Sequence, residues 1–294
     1  MHLEETMNAV IPFPQAESVP LREILFPSDL SPASELAFEY ARLLARRFRA
    51  RLTLFHAIPA GPGLSVPEPV RRAERAARER LEGWVEDLGC RHCVIVEPTE
   101  SVHRAVVGYV RGTTPDLVVM ATHGREGLSQ LFLGSVTETV IRRGWCPVLG
   151  VREPQHGVAL PFRRILVPTD LSSESRGSFA LGGTLARAFE ADVLGLHVAR
   201  VEAGSLAGVT AAVEAALPTE AALQAFLQPE FRGVPVFART ELGSPWEQIL
   251  RVARLEKADL ILLTTHGHDS IGDRLLGSHA ERILREAPCP VLVV

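Results

Sequence analysis

A chain of 294 residues with 46% hydrophobic and 22% charged side chains has the composition of a folded protein of about two domains, and excludes collagen-like, coiled-coil and largely disordered classes. Its 31 basic and 35 acidic residues leave a formal charge of -4, so no overall basic field draws nucleic acid or anionic lipid. Four cysteines are too few for a disulfide scaffold and point to a reducing cytoplasm, and no apolar run reaches the about 20 residues of a membrane-spanning helix.

Residues 1–20 carry Glu4 and Glu5 where a signal peptide would carry basic residues, and Pro12, Pro14 and Pro20 interrupt the later half. This stretch is expected to be a disordered extension. The first apolar run, Glu23 to Pro27, has the length of a strand and leads into Ser31-Pro32. There a capping serine and a proline at the first position open a helix whose apolar stripe is Leu36, Tyr40, Leu43, Leu44 and Phe48. Further strands are expected at Leu52–Ile58, Cys93–Glu97, Leu117–Ala121 and Val148–Val151. The basic run Arg71 to Arg80 mixes in acidic residues at helical spacing, with Glu74 and Arg78 an i,i+4 pair, and is followed by the stripe Leu81, Trp84, Val85 and Leu88. It reads as a solvated helix face rather than a nucleic-acid patch.

The chain then repeats itself. Ile24-Leu25-Phe26-Pro27-Ser28-Asp29-Leu30-Ser31 returns 141 positions later as Ile165-Leu166-Val167-Pro168-Thr169-Asp170-Leu171-Ser172, and Phe55-His56 returns as Leu196-His197. Asp116 to Gly124 returns as Asp259 to Gly267, and Leu133-Gly134-Ser135 to Cys146-Pro147-Val148-Leu149 as Leu276-Gly277-Ser278 to Cys289-Pro290-Val291-Leu292. One domain therefore occurs in tandem, over 21–152 and 163–294, with 153–162 as linker. Strands of the second copy are expected at Arg164–Pro168, Asp192–Val198, Val234–Arg239, Leu260–Thr264 and Val291–Val294, with a broken helix or flexible connection over 201–231. Short apolar runs alternating with amphipathic ones give an α/β fold with a parallel sheet covered on both faces.

In such a sheet, ligands bind beyond the carboxyl ends of the strands, where strand order reverses. Pro27-Ser28-Asp29 leaves the first strand and Thr122-His123-Gly124 leaves the fourth, so both face one crevice if those strands are neighbours. Gly124 and Gly127 would bring backbone N–H groups to phosphate oxygens, Arg125 would add a cation, and Gly134-Ser135 would open a helix with free donors. The Asp29 carboxylate suits ribose hydroxyls or an adenine amino group. No Gly-x4-Gly-Lys-Ser/Thr loop, Gly-x-Gly-x2-Gly turn or Gly-x-Ser-x-Gly elbow occurs. His123 and His266 are read as fixing a loop or contacting phosphate, with a base role as the alternative. Cys90 and Cys93 have the spacing of half a zinc site, and His266, His268 and His279 could converge on a cation; neither is taken as a metal site, and the cysteines are read as reduced and unrelated.

The strand-end Pro-Ser/Thr-Asp, the His-Gly loop and the Gly-Ser helix ending in Cys-Pro-Val-Leu resemble the universal stress protein family in its tandem form, from Arg22 to Val294. The resemblance implies, for each copy, an adenine nucleotide alpha hydrolase-like fold with a five-stranded parallel sheet of order 3-2-1-4-5. The family's ATP-binding motif, Gly-x2-Gly-x9-Gly-Ser/Thr, falls on Ala121, Gly124, Gly134 and Ser135, and again on Thr264, Gly267, Gly277 and Ser278; alanine and threonine stand at its first glycine. The resemblance assigns adenosine contacts to Pro27, Ser28 and Asp29, to the Ala57 backbone after the second strand and to Met120. Their counterparts are Pro168, Thr169, Asp170, Val198 and Leu263. It implies a cytoplasmic stress-response module, regulatory or protective, that binds ATP with Mg2+, works with an unidentified protein partner and pairs its two copies as an intramolecular pseudo-dimer, higher oligomers being left open. A nucleotide-independent interaction protein and a slow ATP-hydrolysing or phosphotransfer enzyme are the alternatives. The first pocket is expected to bind more tightly, because the second replaces Arg125 by His268 and places two carboxylates, Asp269 and Asp273, where the first has Glu126 alone.

Overall fold

The structure is a computed structural model that describes residues 19–61, 67–122, 133–152, 161–200, 217–264 and 277–294. Most of the proposed extension and of the linker, residues 201–216 of the expected 201–231 connection, and the loops holding His123, Gly124, Arg125, Gly127, His266, Gly267, His268, Asp269 and Asp273 lie outside the described residues.

The first copy runs β1 (Glu23–Pro27), α1 (Pro32–Phe48), β2 (Arg51–Pro59), α2 (Glu68–Val85), β3 (His92–Thr99), α3 (Val102–Thr113), β4 (Leu117–Ala121), α4 (Ser135–Arg143) and β5 (Val148–Val151). The second runs β6 (Arg164–Pro168), a 3-10 turn (Glu174–Ser178), α5 (Phe179–Phe189), β7 (Asp192–Ala199), α6 (Glu220–Leu227), β8 (Val236–Leu242), α7 (Pro245–Leu255), β9 (Leu260–Leu263), α8 (Ser278–Glu286) and β10 (Val291–Val293). Helix α1 starts as its sequence dictates: Ser31 accepts from the Ser34 N–H, and Pro32, which has no N–H to leave unpaired, comes next.

The strands form one ten-stranded sheet of order β3-β2-β1-β4-β5-β10-β9-β6-β7-β8. Each copy contributes a parallel half in the expected order, and the halves meet where β5 runs antiparallel to β10, with Leu149 opposite Leu292. Gly150 lies at this junction; a Cβ there would come within 3.0 Å of Thr122 Cγ2 and 3.2 Å of Leu284 Cδ2, so the close approach of the copies depends on its absence.

Alternation along each strand sends side chains to two apolar layers. Ile24, Phe26, Leu117 and Val119 face α1, α2, α5 and α6, while Leu25, Val118 and Met120 face α3, α4, α7 and α8. Each layer is continuous across both copies. Phe162, ahead of β6, is fully buried and stacks on Tyr40 of α1, and the Arg47 guanidinium donates to the Ala188 carbonyl at 2.6 Å. The basic run of α2 carries the Glu74–Arg78 pair at 3.7 Å and packs inward through Leu81, Val85 and Leu88. Strand β8 starts two residues later than expected, because the Val234 N–H is used to close a turn onto Phe231 O.

Candidate functional site

Strands β1 and β4 are hydrogen-bonded neighbours, with Ile24 opposite Leu117 and Leu25 opposite Val118. On one side of this pair the chain runs on to β2 and β3, on the other to β5, so strand order reverses between them. Ligands of open parallel sheets enter beyond the carboxyl ends at such a reversal, which is bordered here by Pro27-Ser28-Asp29 and by Ala121 and Thr122.

The β1 side is a tight polar turn. The Ser28 N–H donates to Phe55 O at 2.9 Å, the Ser28 hydroxyl accepts from Leu30 N at 3.0 Å, and Leu30 adopts φ 61°. A branched residue in the left-handed region is strained backbone, and Leu171 repeats it at φ 65°. The turn holds the half-buried Asp29, whose Oδ1 accepts from the Ser31 N–H at 2.9 Å and from the Ser34 hydroxyl at 2.6 Å. Behind it, the buried His56 ring places Nδ1 2.7 Å from Ser28 O; its counterpart His197 lies 3.0 Å from Thr169 O.

The β4 side is built around α4. The Gly134 N–H donates to Thr122 O at 2.9 Å and the Thr137 hydroxyl to Ala121 O at 3.0 Å, fixing the helix start against the strand end. The N-cap of α4 is Gly134, which has no side chain to cap the helix with, and α8 begins in the same way after Gly277. The first-turn N–H groups of both helices lack partners within the helix, and their dipoles favour an anion by about 0.3–1 kcal/mol. Helix α4 starts at Ser135, one residue before the expected Val136.

Ala57 and Val198 lie inside β2 and β7, within the expected strand bounds and not after the strand as the resemblance has it, and pair with Glu97 and Glu241. Pairing of β1 with β2 ends at Pro27–Phe55, and Ala57 points its backbone the same way as Phe55, beyond the end of β1. A ligand over β1 would meet it there. Met120 and Leu263 are buried in the layer beneath the crevices, and Thr264 comes after β9 instead of ending it.

The second crevice has different chemistry. Asp170 is exposed, and its Oδ1 accepts from the Ser172 N–H at 3.0 Å and the Ser172 hydroxyl at 2.5 Å. Ser175, the counterpart of Ser34, instead donates its hydroxyl to Ser172 O at 2.8 Å and lies 2.8 Å from Thr169 Oγ1. The Thr264 hydroxyl lies 3.0 Å from Ser178 Oγ and donates to Ser175 O at 3.2 Å. Sequence reasoning missed His56, Ser34 and this hydroxyl series; the repeated His after an apolar residue was the one available signal.

The four cysteines are free thiols. Burial pushes the Cys146 thiol up to about 12 and raises Cys289 as well, so neither is an activated nucleophile. Among the described residues no three His, Cys, Asp or Glu side chains gather as a metal site, and no helix is long and apolar enough to cross a membrane.

A model of the universal stress protein family matches residues 20–152 and again 161–294. The chain belongs to the universal stress protein family. It has the tandem two-domain form. A universal stress protein of Mycolicibacterium smegmatis is 28% identical over 290 residues, covering 92% of this chain and 96% of the relative. One from Methanocaldococcus jannaschii is 28% identical over 144 residues, 46% of this chain and 84% of its own length. The crystal structure of a universal stress protein from Archaeoglobus fulgidus superposes with a TM-score of 0.68 at 21% identity, over 92% of this chain and 97% of that one, a likeness of fold.

Proposed function

We propose that this tandem universal stress protein binds ATP with Mg2+ at the crevice between β1 and β4, and acts as a regulatory or protective binding module in a cytoplasmic stress response. The observation that carries the reading is the meeting, at one reversal of strand order, of a pinned carboxylate and a glycine-capped helix start. Asp29 would take ribose or base donors, and the Ala57 backbone would take the adenine edge. The Gly134-Ser135 turn would take the phosphates together with Gly124, Arg125 and Gly127. The arrangement fits a nucleotide chemically, since acceptors stand on one side of the crevice and donors on the other.

In this reading the two copies are the halves of an intramolecular pseudo-dimer, which the β5–β10 pairing supports, and the module acts through a protein partner. Calorimetric titration of the full chain with ATP and Mg2+ tests the site. Binding is expected, and Asp29→Ala should weaken it at least tenfold; wild-type affinity in Asp29→Ala would remove the placement. Acid extraction of the freshly purified chain should release adenine nucleotide. Its absence, with no binding in the titration, would favour a nucleotide-independent interaction protein.

A further inference from the structure

We propose that a cavity between the two copies, beside the pairing of β5 with β10, binds a small neutral aromatic molecule. The proposal goes beyond the ATP reading and does not depend on it.

The antiparallel pairing sets Val148, at the start of β5, opposite Val293, at the end of β10. The turn between α4 and β5 of the first copy is thereby brought to the carboxyl ends of the second copy's strands. A cavity of about 440 Å³ lies between them. Small-molecule sites are cavities of about 300–1,000 Å³ with mostly apolar walls, and they favour the junctions between domains.

The chemistry of the lining selects the ligand. The first copy contributes Ile141 from α4, then Trp145, Cys146 and Val148. Trp145 is partly buried against the same apolar layer as Ile141 and Val148. Its indole gives the wall a flat ring on which another ring can pack offset or edge-on. The Cys146 thiol is kept protonated by burial and brings no charge.

From the second copy come Val293 and Val294, together with Gly177, which adds no side chain to the wall. The remaining described residue there is Thr264, whose hydroxyl donates to Ser175 O at 3.2 Å and lies 3.0 Å from Ser178 Oγ. Its hydrogen-bonding capacity is thus directed at the protein. No charged side chain stands among the described lining residues. A charged ligand would surrender its hydration without a partner, whereas a neutral ring gains by leaving water. Thr264 is also the one lining residue among the nucleotide positions assigned above, so the cavity is a separate site from the crevice between β1 and β4.

The test uses naphthalene as the probe, added to the full chain and followed by calorimetry and by methyl resonances. Binding is expected, with shifts centred on Ile141, Val148 and Val293. Trp145→Ala should weaken it at least tenfold and Trp145→Phe, which keeps a ring, much less. Naphthalenesulfonate, the same rings carrying a charge, should bind at least tenfold more weakly than naphthalene. No binding of naphthalene would overturn the proposal, as would shifts centred instead on the exposed apolar side chains Phe237 and Leu255. These two arms use the wild type and do not depend on how a variant folds. Undiminished affinity in Trp145→Ala would also overturn it, and equal affinity for the charged and neutral probes would remove the assigned ligand class.

Discussion

His56 Nδ1 lies 2.7 Å from the carbonyl oxygen of Ser28, a contact that fixes the proton on Nδ1 because a carbonyl can only accept. The ring is buried and supports from below the turn that carries Asp29. His56→Ala leaves Ser28 O without this partner and should cost about 1–3 kcal/mol in urea unfolding. It should also weaken ATP binding more than tenfold, because Asp29 loses its footing. Unchanged affinity in a destabilised His56→Ala protein would show that the turn holds its shape without the ring.

Phe162 is fully buried between the copies, stacked on Tyr40 with ring centroids 6.1 Å apart and edge-on to Phe189 at 5.4 Å. Phe162→Ala should cost about 3–5 kcal/mol, the range for deleting a buried aromatic ring. Because both apolar layers run through both copies, the wild type should unfold in one transition. Two separate transitions in wild-type calorimetry would show that the copies are energetically independent.

Strands β5 and β10 would each be an apolar edge if the copies were apart, and such edges recruit other chains. Paired with each other, they occupy the middle of the ten-stranded sheet. Amide hydrogens of Val148–Val151 and Val291–Val293 should exchange about as slowly as those of β1. Fast exchange in either segment would contradict the shared edge.

The elements were legible where burial repeats. Apolar runs marked all ten strands because a parallel sheet covered on both faces needs them, and Ser31-Pro32 marked the start of α1 through its capping chemistry. The end of β8 was not legible: Arg239, Thr240 and Glu241 pair with β7 through their backbones while their side chains are polar. Repetition alone also could not separate framework from site. Asp116 and Asp259 recur as faithfully as Asp29 and Asp170, yet each carboxylate accepts from two backbone N–H groups at the amino end of β1 or β6, away from the crevices. The hydroxyl links of the second copy were invisible because serine and threonine follow no period, and their partners are set by a 3-10 turn that the sequence does not announce.

Burial raises the Cys146 thiol to about 12, so the native protein keeps this proton where the unfolded chain, with a thiol near its ordinary 9.0, has lost it. The unfolded state then binds fewer protons, and stability falls as pH rises. The contribution is complete below about pH 9 and declines from there toward pH 12. Cys289 acts in the same direction. Cys146→Ala should flatten the alkaline loss of stability measured by urea midpoints between pH 8 and about pH 10.5. An identical slope in wild type and variant would show that the thiol titrates normally in the fold.

Gly134 offers a way to separate folding from binding. Its φ is −59°, which any residue adopts, and a Cβ there would meet Thr122 O at 3.6 Å and Thr137 Oγ1 at 3.8 Å, both ordinary contacts. Nothing within the described residues therefore requires glycine for backbone shape or space. As the N-cap of α4, Gly134→Ala should cost under about 1 kcal/mol, since alanine caps a helix less well than glycine. A bound triphosphate would approach the first-turn N–H groups closely, and there a methyl group, or the branched side chain of Gly134→Val, would stand between backbone and phosphate oxygens. Gly134→Ala should thus leave the melting temperature within a few degrees of wild type while ATP affinity falls about tenfold, and Gly134→Val should lose more. AMP, lacking the outer phosphates, should bind wild type and Gly134→Ala alike if the glycine serves them. Equal losses for ATP and AMP would place Gly134 beside the nucleoside instead, and full ATP affinity in Gly134→Val would remove the α4 start from the site.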